Sequence, residues 1–224
     1  MRTSGLWFWF GLFGLGAYHG VNPGMGWLFA VALGLQEKSR RALYRALPPI
    51  ALGHALAIGV IVAPLALVRA VAPPWPLRTV AAVILVGFGV YRLLWFRHPR
   101  WVGMRVGPRD LVLWSFLMAL AHGAGLMLVP FVLGWSNGTP TSHGQHVQAI
   151  RPLLDPELTN TLSGLAVGGI AVGVHTLGYL LVTTLVALVV YEKLGLALLR
   201  RAWFNLDLLW AVALIAAGVL TQFL

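Results

Sequence analysis

Four histidines lie inside long apolar runs of the sequence, where ionisable side chains are rare. They are His19, His54, His122 and His175. Ionisable residues within a lipid bilayer are costly and face the interior of a helix bundle, which makes them candidate functional groups. Neutral imidazole is also the commonest metal ligand in proteins. The sequence therefore predicts a transition-metal site formed by these four residues, the alternative being imidazoles that only hydrogen-bond between helices.

No acidic residue lies at the depth of these histidines. Asp110 and Asp207 fall near the ends of their apolar runs. A cation held by four neutral ligands would keep its whole charge in a medium that solvates it poorly. Three solutions stay open at this point: a monovalent ion, an anion or hydroxide bound together with the metal, or an ion that is bound only transiently.

The first apolar run predicts a broken helix beside His19. Asn22 lies three residues further along the same helix face. Pro23 and Gly24 then interrupt the helix, and Met25 follows them. An interruption frees backbone carbonyls, which are tolerated within a membrane only where they line a cavity or contact protein. A substrate path is therefore predicted along Asn22, Pro23, Gly24 and Met25, the alternative being a plain proline kink with Asn22 bonded to a neighbouring helix.

Methionines near the histidines would add a soft ligand. Met118 precedes His122 by four residues, so both lie on one helix face, and Met127 follows five residues after His122. Thioether and imidazole without carboxylate suit Cu(I) better than Ni(II) or Co(II), so Met118 joins the predicted path. Methionine is also a common filler of apolar cores. The metal stays open among nickel, cobalt, zinc and copper.

A polar stretch at 135–160 carries a second metal-binding pattern. It contains His143 and His146, with Asp155 and Glu157 further on. A His-x-x-His pair with nearby acids can collect a divalent cation. These two histidines are therefore predicted to capture the ion on the outer side of the membrane. The alternative is a polar loop without a site.

The composition places all of these residues in one membrane domain, 1–224. Of the 224 residues 59% are hydrophobic and only 10% are charged, with a mean hydropathy of +0.83, whereas a soluble domain carries about 25% charged residues. Disorder is excluded, and with no cysteine a disulfide scaffold is excluded too. Runs long enough to cross a bilayer predict an all-α integral membrane protein with six transmembrane helices, at residues 5–35, 48–71, 78–96, 111–134, 161–190 and 204–224.

The positive charges alternate between the breaks that separate these runs. The breaks after the first, third and fifth runs carry twelve of the 16 Lys and Arg residues, and the other breaks and the termini carry four. Basic residues collect in cytoplasmic loops, so both termini are predicted to lie outside the inner (cytoplasmic) membrane of a bacterium. The net charge of +10 then reflects orientation in a lipid bilayer and not nucleic-acid binding. A second copy of the chain is a further candidate partner.

The histidines also indicate an internal repeat. The first and fourth runs share a His-Gly pair at 19–20 and 122–123, and the second and fifth share His-x-Leu at 54–56 and 175–177. Three runs per repeat is an odd number, so the second repeat must cross the membrane in the opposite direction. Many transporters build a site near the midplane from such inverted repeats. The predicted boundaries are 5–96 for the first repeat, 111–224 for the second and 135–160 for the outer loop.

The stretch His-Gly-Val-Asn-Pro-Gly-Met-Gly at 19–26, followed by Gly-His-Ala-Leu at 53–56, resembles the paired signature of NicO-type nickel/cobalt permeases. These belong to the LysE-like superfamily of six-span, three-plus-three transporters. Where the family has an acid and a second histidine in the first helix, this chain has Asn22 and Met25. The resemblance covers the organisation of the whole chain, and it implies a permease for nickel or cobalt.

These patterns lead to one main hypothesis and three others. The main one is a transition-metal permease, for a nickel- or cobalt-like divalent ion or for copper, with alternating access to a histidine-lined site. The alternative is an intramembrane metalloenzyme whose metal keeps a position open for water or substrate. A redox subunit that binds quinone or haem and an amino-acid exporter of the LysE type are the other two. The sequence contains no Walker loop, Gly-x-Ser-x-Gly or His-Glu-x-x-His motif.

Overall fold

The computed structural model describes residues 3–71, 74–94, 106–134, 156–194 and 206–221. Within these ranges the chain forms helices and turns but no strand, which confirms the all-α class. The predicted outer loop, with His143 and His146, lies outside the described residues. In chain order the elements are α1 Thr3–Val21, a 3₁₀ turn Pro23–Met25, α2 Trp27–Gln36, α3 Arg40–Val71, α4 Pro74–Leu94, α5 Pro108–Ala121, α6 Ala124–Gly134, α7 Pro156–Val189 with a π turn Val190–Leu194, and α8 Leu206–Thr221.

Three helices contain a stretch long and apolar enough to cross a membrane: Arg40–Val68, Pro76–Leu94 and Gly164–Lys193. Helices α5 and α6 pass the same test as a pair, with a bend of 59° between them, and counted together they make a fourth. Large apolar side chains such as Val83 and Leu185 expose 60% or more of their surface on the outside of these helices. An apolar surface of this kind suits contact with lipid, and the described chain is all-helical with three to four candidate membrane spans.

Two predicted runs differ from the helices that form. The first run, 5–35, is divided into α1 and α2 by the turn at Pro23–Met25, as the proline and glycine there predict. The second run was predicted to start at residue 48, but its helix, α3, starts at Arg40 and so includes a polar first turn. Ser39 Oγ accepts a hydrogen bond from the Arg41 N–H at 3.2 Å, which satisfies one of the free donors of that turn.

Two pairs of helices run side by side in the same direction. Gly16 and Gly20 of α1 face the backbone of α7, where a Cβ at Gly16 would lie 1.9 Å from the carbonyl oxygen of His175. Gly53 of α3 faces α5 in the same way, since its Cβ would lie 2.2 Å from the carbonyl oxygen of Val112. No side chain fits at these distances, so glycine is what allows α1 to pack on α7, and α3 on α5, backbone to backbone.

Two other pairs run in opposite directions. Helix α3 crosses α7, where Val62 contacts Gly168. Ala66, one turn later in α3, lies near Gly164, one turn earlier in α7. Helix α4 packs along α8 with Gly89 against Ala211. Helix α7 thus packs on both α1 and α3, and α3 packs on α5, which makes these four helices the central region of the described chain, while the α4–α8 pair contacts α6.

Candidate functional site

Three of the four histidines from the apolar runs meet in this central region. His19 ends α1, while His54 and His175 lie within α3 and α7, and none of the three exposes any surface. Their ring centroids are 4.8 Å apart for His19 and His175 and 5.5 Å apart for the other two pairs. The Nε2 atoms of His54 and His175 are separated by 3.4 Å. We call these residues the histidine trio.

A second group of polar side chains surrounds Gly24 in the turn after α1. A Cβ at Gly24 would lie 3.2 Å from Met118 Cε, 3.3 Å from Asn22 Oδ1 and 3.7 Å from His122 Cε1. Asn22, Met118 and His122, which we call the break group, are all buried. The fourth histidine therefore lies in a group of its own, at the turn that follows α1.

His19 and His122 are held in the same way, one in each half of the chain. Each ring donates a hydrogen bond from Nδ1 to the carbonyl four residues earlier, at 2.8 Å: His19 to Leu15 and His122 to Met118. A carbonyl oxygen only accepts, so the proton is on Nδ1 and the lone pair is on Nε2. Metal-binding histidines are commonly oriented by such a bond on the opposite nitrogen.

The turn after α1 is stabilised from within by Asn22. Its Oδ1 accepts a hydrogen bond from the Gly24 N–H at 2.9 Å, which is the ordinary role of an asparagine before a short helical turn. The side chain therefore makes the local bond of a cap, in place of the bond to a neighbouring helix that a plain kink would require. The predicted interruption of the helix is confirmed.

Side chains from other helices bind the carbonyls that this interruption frees. Tyr179 of α7 donates its hydroxyl to the Met25 carbonyl. Thr183, one turn further along α7, donates to the Gly20 carbonyl at 3.5 Å. Trp27 of α2 donates its indole N–H to the Val21 carbonyl at 2.9 Å. The interruption is thus a fixed structure that α7 holds in place.

Tyr179 belongs to the site although the histidine pattern did not identify it. Its ring stacks on His54 with centroids 3.9 Å apart and planes 12° apart, and it is fully buried. The signal was available in the sequence, because Tyr179 follows His175 by four residues and so shares its helix face. Thr183 follows on the same face by another four.

A second interruption separates α5 from α6, at His122 and Gly123. Gly123 has φ +69°, a conformation that glycine adopts without strain. The predicted apolar run 111–134 did not include this break. The signal was the match between His122-Gly123 and His19-Gly20, because the first of these pairs comes directly before a break.

The described methionines are divided between the site and the core. Met25 and Met127 belong to the apolar core cluster, and Met25 contributes its carbonyl, not its sulfur, to the contact with Tyr179. Met118 lies at Gly24 with the break group. Of the thioethers considered as ligands, Met118 is the one that the structure brings to a histidine through its side chain.

The site contains no negative charge among the described side chains. The acids with described side chains, Glu37, Asp110 and Glu192, are all exposed. Within the described ranges no three His, Asp or Glu side chains are arranged to hold a metal ion. In the trio the rings pack on one another, so an ion would bind only after they separate. The four metal ligands therefore stay a prediction.

The trio includes a buried ring nitrogen without a hydrogen-bond partner among the described residues. It is Nδ1 of His54, which is fully buried. Buried polar atoms are nearly always bonded to protein or water, and an exception calls for an explanation. A ligand that binds here, or a ring rotation that accompanies binding, would supply the missing partner.

Comparison of the chain with protein-family models, with curated proteins and with solved structures found no match in any of the three. The resemblance to nickel/cobalt permeases therefore stays a prediction that depends on the motifs at 19–26 and 53–56.

Proposed function

We propose that the protein is a permease for transition-metal ions, with the histidine trio as its central binding site. The observation that carries the proposal is the meeting of three fully buried imidazoles from α1, α3 and α7, within 5.5 Å of one another by ring centroid. Imidazole suits zinc, copper, iron and nickel. Apolar residues would fill the interior of a membrane protein at a lower cost than imidazoles do. A purely structural role therefore does not explain three buried histidines.

The helix pairing supports a six-span architecture made of two inverted repeats. Suppose that α1 of the first repeat corresponds to α5 with α6 of the second, α3 to α7, and α4 to α8. The α1–α7 pair then has its counterpart in the α5–α3 pair. The α3–α7 and α4–α8 pairs each join two corresponding helices, so each is its own counterpart. The directions also agree, because the first two pairs are parallel and the last two are antiparallel, as alternating crossings require.

The neutral ligands and the packed rings favour transport over permanent binding. A carrier must release its ion, so its affinity has to be moderate. Without a carboxylate the attraction to a cation is weaker, and rings that contact each other must be separated before an ion enters. Interrupted helices at the same depth, with half-helix ends directed at the site, are typical of ion-coupled carriers.

Metal flux into proteoliposomes tests the proposal. Purified protein is reconstituted with a metal-sensitive dye inside the vesicles, and Ni(II), Co(II), Zn(II) and Cu(I) are each added outside. His54→Gln and His175→Gln keep a polar side chain of similar size but remove the imidazole. We expect each to lower the flux at least about tenfold, the scale on which outer partners of a metal site already act.

His98→Ala is the matched control, because this histidine lies outside the apolar runs, and its flux should equal that of the unchanged protein. Equal flux in the two trio variants and in the unchanged protein would overturn the proposal. The metalloenzyme alternative makes a different prediction: the purified protein would keep one metal through extensive dialysis and would carry none across the vesicle.

A further inference from the structure

The break group brings together a combination of ligands that the histidine trio lacks. Met118 carries a thioether, His122 an imidazole and Asn22 an amide oxygen, and their Cε, Cε1 and Oδ1 atoms lie 3.2, 3.7 and 3.3 Å from the Cβ position of Gly24. Each is at least nine-tenths buried. Gly24 has no side chain to fill the space between them. The three side chains therefore pack around Gly24 from two different segments of the chain.

The hydrogen bond that His122 makes through Nδ1 leaves Nε2 as the nitrogen that would bind a metal. The acceptor of this bond is the Met118 carbonyl. The residue that fixes the ring is also the residue that supplies the sulfur. Because the bond is made by the Met118 backbone, replacing that side chain leaves the orientation of the imidazole intact. This allows the sulfur to be tested alone.

The absence of carboxylates selects the charge of the ion. Every acid with a described side chain is exposed, so among the described residues only neutral groups would stabilise an ion beside Gly24. The cost of moving an ion out of water rises with the square of its charge, and it is about four times larger for a divalent ion than for a monovalent ion of equal size. Neutral ligands compensate the smaller cost far more readily.

The ligand types select the same ion. Thioether and thiolate ligands prefer Cu(I) among the biological transition metals, whereas carboxylate, carbonyl and water suit harder divalent ions. We propose that the break group binds a soft monovalent cation, Cu(I) or its analogue Ag(I), and that this is the form in which the permease carries its metal. The second half of the proposal rests on the proposed function, but the binding does not.

The experiment measures Ag(I) binding to the full-length protein in detergent by isothermal titration calorimetry, with Ni(II) in a parallel series. Met118→Leu removes the sulfur at nearly constant volume, a change that cores tolerate well. Met127→Leu is the matched control, because Met127 is equally buried but belongs to the apolar core. We expect Met118→Leu to weaken Ag(I) binding at least about tenfold, and Met127→Leu to leave it unchanged.

Two further variants sharpen the result. Gly24→Ala places a methyl group between the three ligands, and it too should weaken Ag(I) binding. Asn22→Asp keeps the acceptor for the Gly24 N–H but adds a carboxylate, so it should raise the affinity for Ni(II) relative to Ag(I). Thermal unfolding of each variant without metal identifies any that fails to fold.

Equal Ag(I) affinity in Met118→Leu and Met127→Leu, or tighter binding of Ni(II) than of Ag(I) by the unchanged protein, would overturn the inference. Flux identifies which proposal has failed. Transport of Ni(II) that is insensitive to Met118→Leu leaves the permease standing and removes the soft site. Ag(I) binding that depends on Met118 without flux of any metal leaves the site standing and removes the permease.

Discussion

At the scale of single residues, most of the site is made by side chains that the sequence could identify by type. A histidine or an asparagine in a run of apolar residues is conspicuous, because the bilayer penalises it. Tyr179 was not conspicuous, since tyrosine is common in apolar helices. What distinguishes it is its position on the helix face of His175, four residues away, which places its ring on His54 and its hydroxyl on the Met25 carbonyl.

Tyr179→Phe should therefore destabilise the interruption of the first helix while leaving the ring stacked on His54. The variant removes one hydroxyl and leaves the Met25 carbonyl without its donor. Interhelical hydrogen bonds in membrane proteins contribute about 0.6 kcal/mol on average and up to about 1.7 kcal/mol, and we expect a loss in this range. The free energy of unfolding in detergent measures it. Tyr44→Phe, whose side chain is exposed, is the control, and an equal loss in both would contradict the assigned role.

At the scale of helices, close packing depends on glycines whose importance the sequence does not reveal. Gly14 and Gly16 lie two residues apart in α1. A Cβ at Gly14 meets nothing within 4 Å, whereas a Cβ at Gly16 would lie 1.9 Å from the His175 carbonyl oxygen. Which of them faces α7 depends on the rotation of the helix about its axis, and in a helix that is apolar all round no polar face fixes that rotation.

Gly16→Ala should separate α1 from α7 and so displace His19 from His175. Extra atoms in a packed interior cost about 1–3 kcal/mol, and we expect a loss of unfolding free energy in this range together with weaker metal binding. Gly14→Ala should be neutral or stabilising by up to about 1 kcal/mol, because alanine is the better helix former. Similar effects from the two substitutions would show that α1 does not pack on α7 as described.

The second interruption, at Gly123, was missed for a related reason. A glycine in a long apolar run is compatible with an unbroken membrane helix, since small residues are common where such helices pack closely. The interruption at Pro23 was predictable because proline removes a hydrogen-bond donor wherever the helix lies. The two signals thus differ in kind: one is local chemistry, and the other depends on the tertiary contacts of Gly123 with Leu214 and Phe88.

At the scale of the whole molecule, hydropathy predicted the helical class and the membrane environment. It did not predict which helices pair, because pairing depends on faces and directions that composition does not encode. The distribution of Lys and Arg residues makes a prediction of its own: the segment that joins α2 to α3 should be cytoplasmic, and the stretch at 135–160 should be outside.

Labelling of single cysteines tests this orientation, since the chain has none of its own. Glu37→Cys lies at the exposed end of α2, and Ser142→Cys lies in the stretch 135–160. A maleimide that does not cross membranes should modify Ser142→Cys in cells whose inner membrane is intact. It should modify Glu37→Cys only after that membrane is permeabilised. Labelling of both sites from one side would contradict the predicted arrangement.

The backbone contacts at Gly16 and Gly53 join the central helices into two closely packed bodies. One body consists of α1 and α7 and carries His19 and His175; the other consists of α3 and α5 and carries His54. The seam between the bodies then passes between the rings of His54 and His175, whose Nε2 atoms are 3.4 Å apart. If the protein alternates access as proposed, a rocking motion that preserves the glycine contacts would act at this seam, where His54 faces both His175 and Tyr179, and the distance between the His54 and His175 rings would then measure the opening.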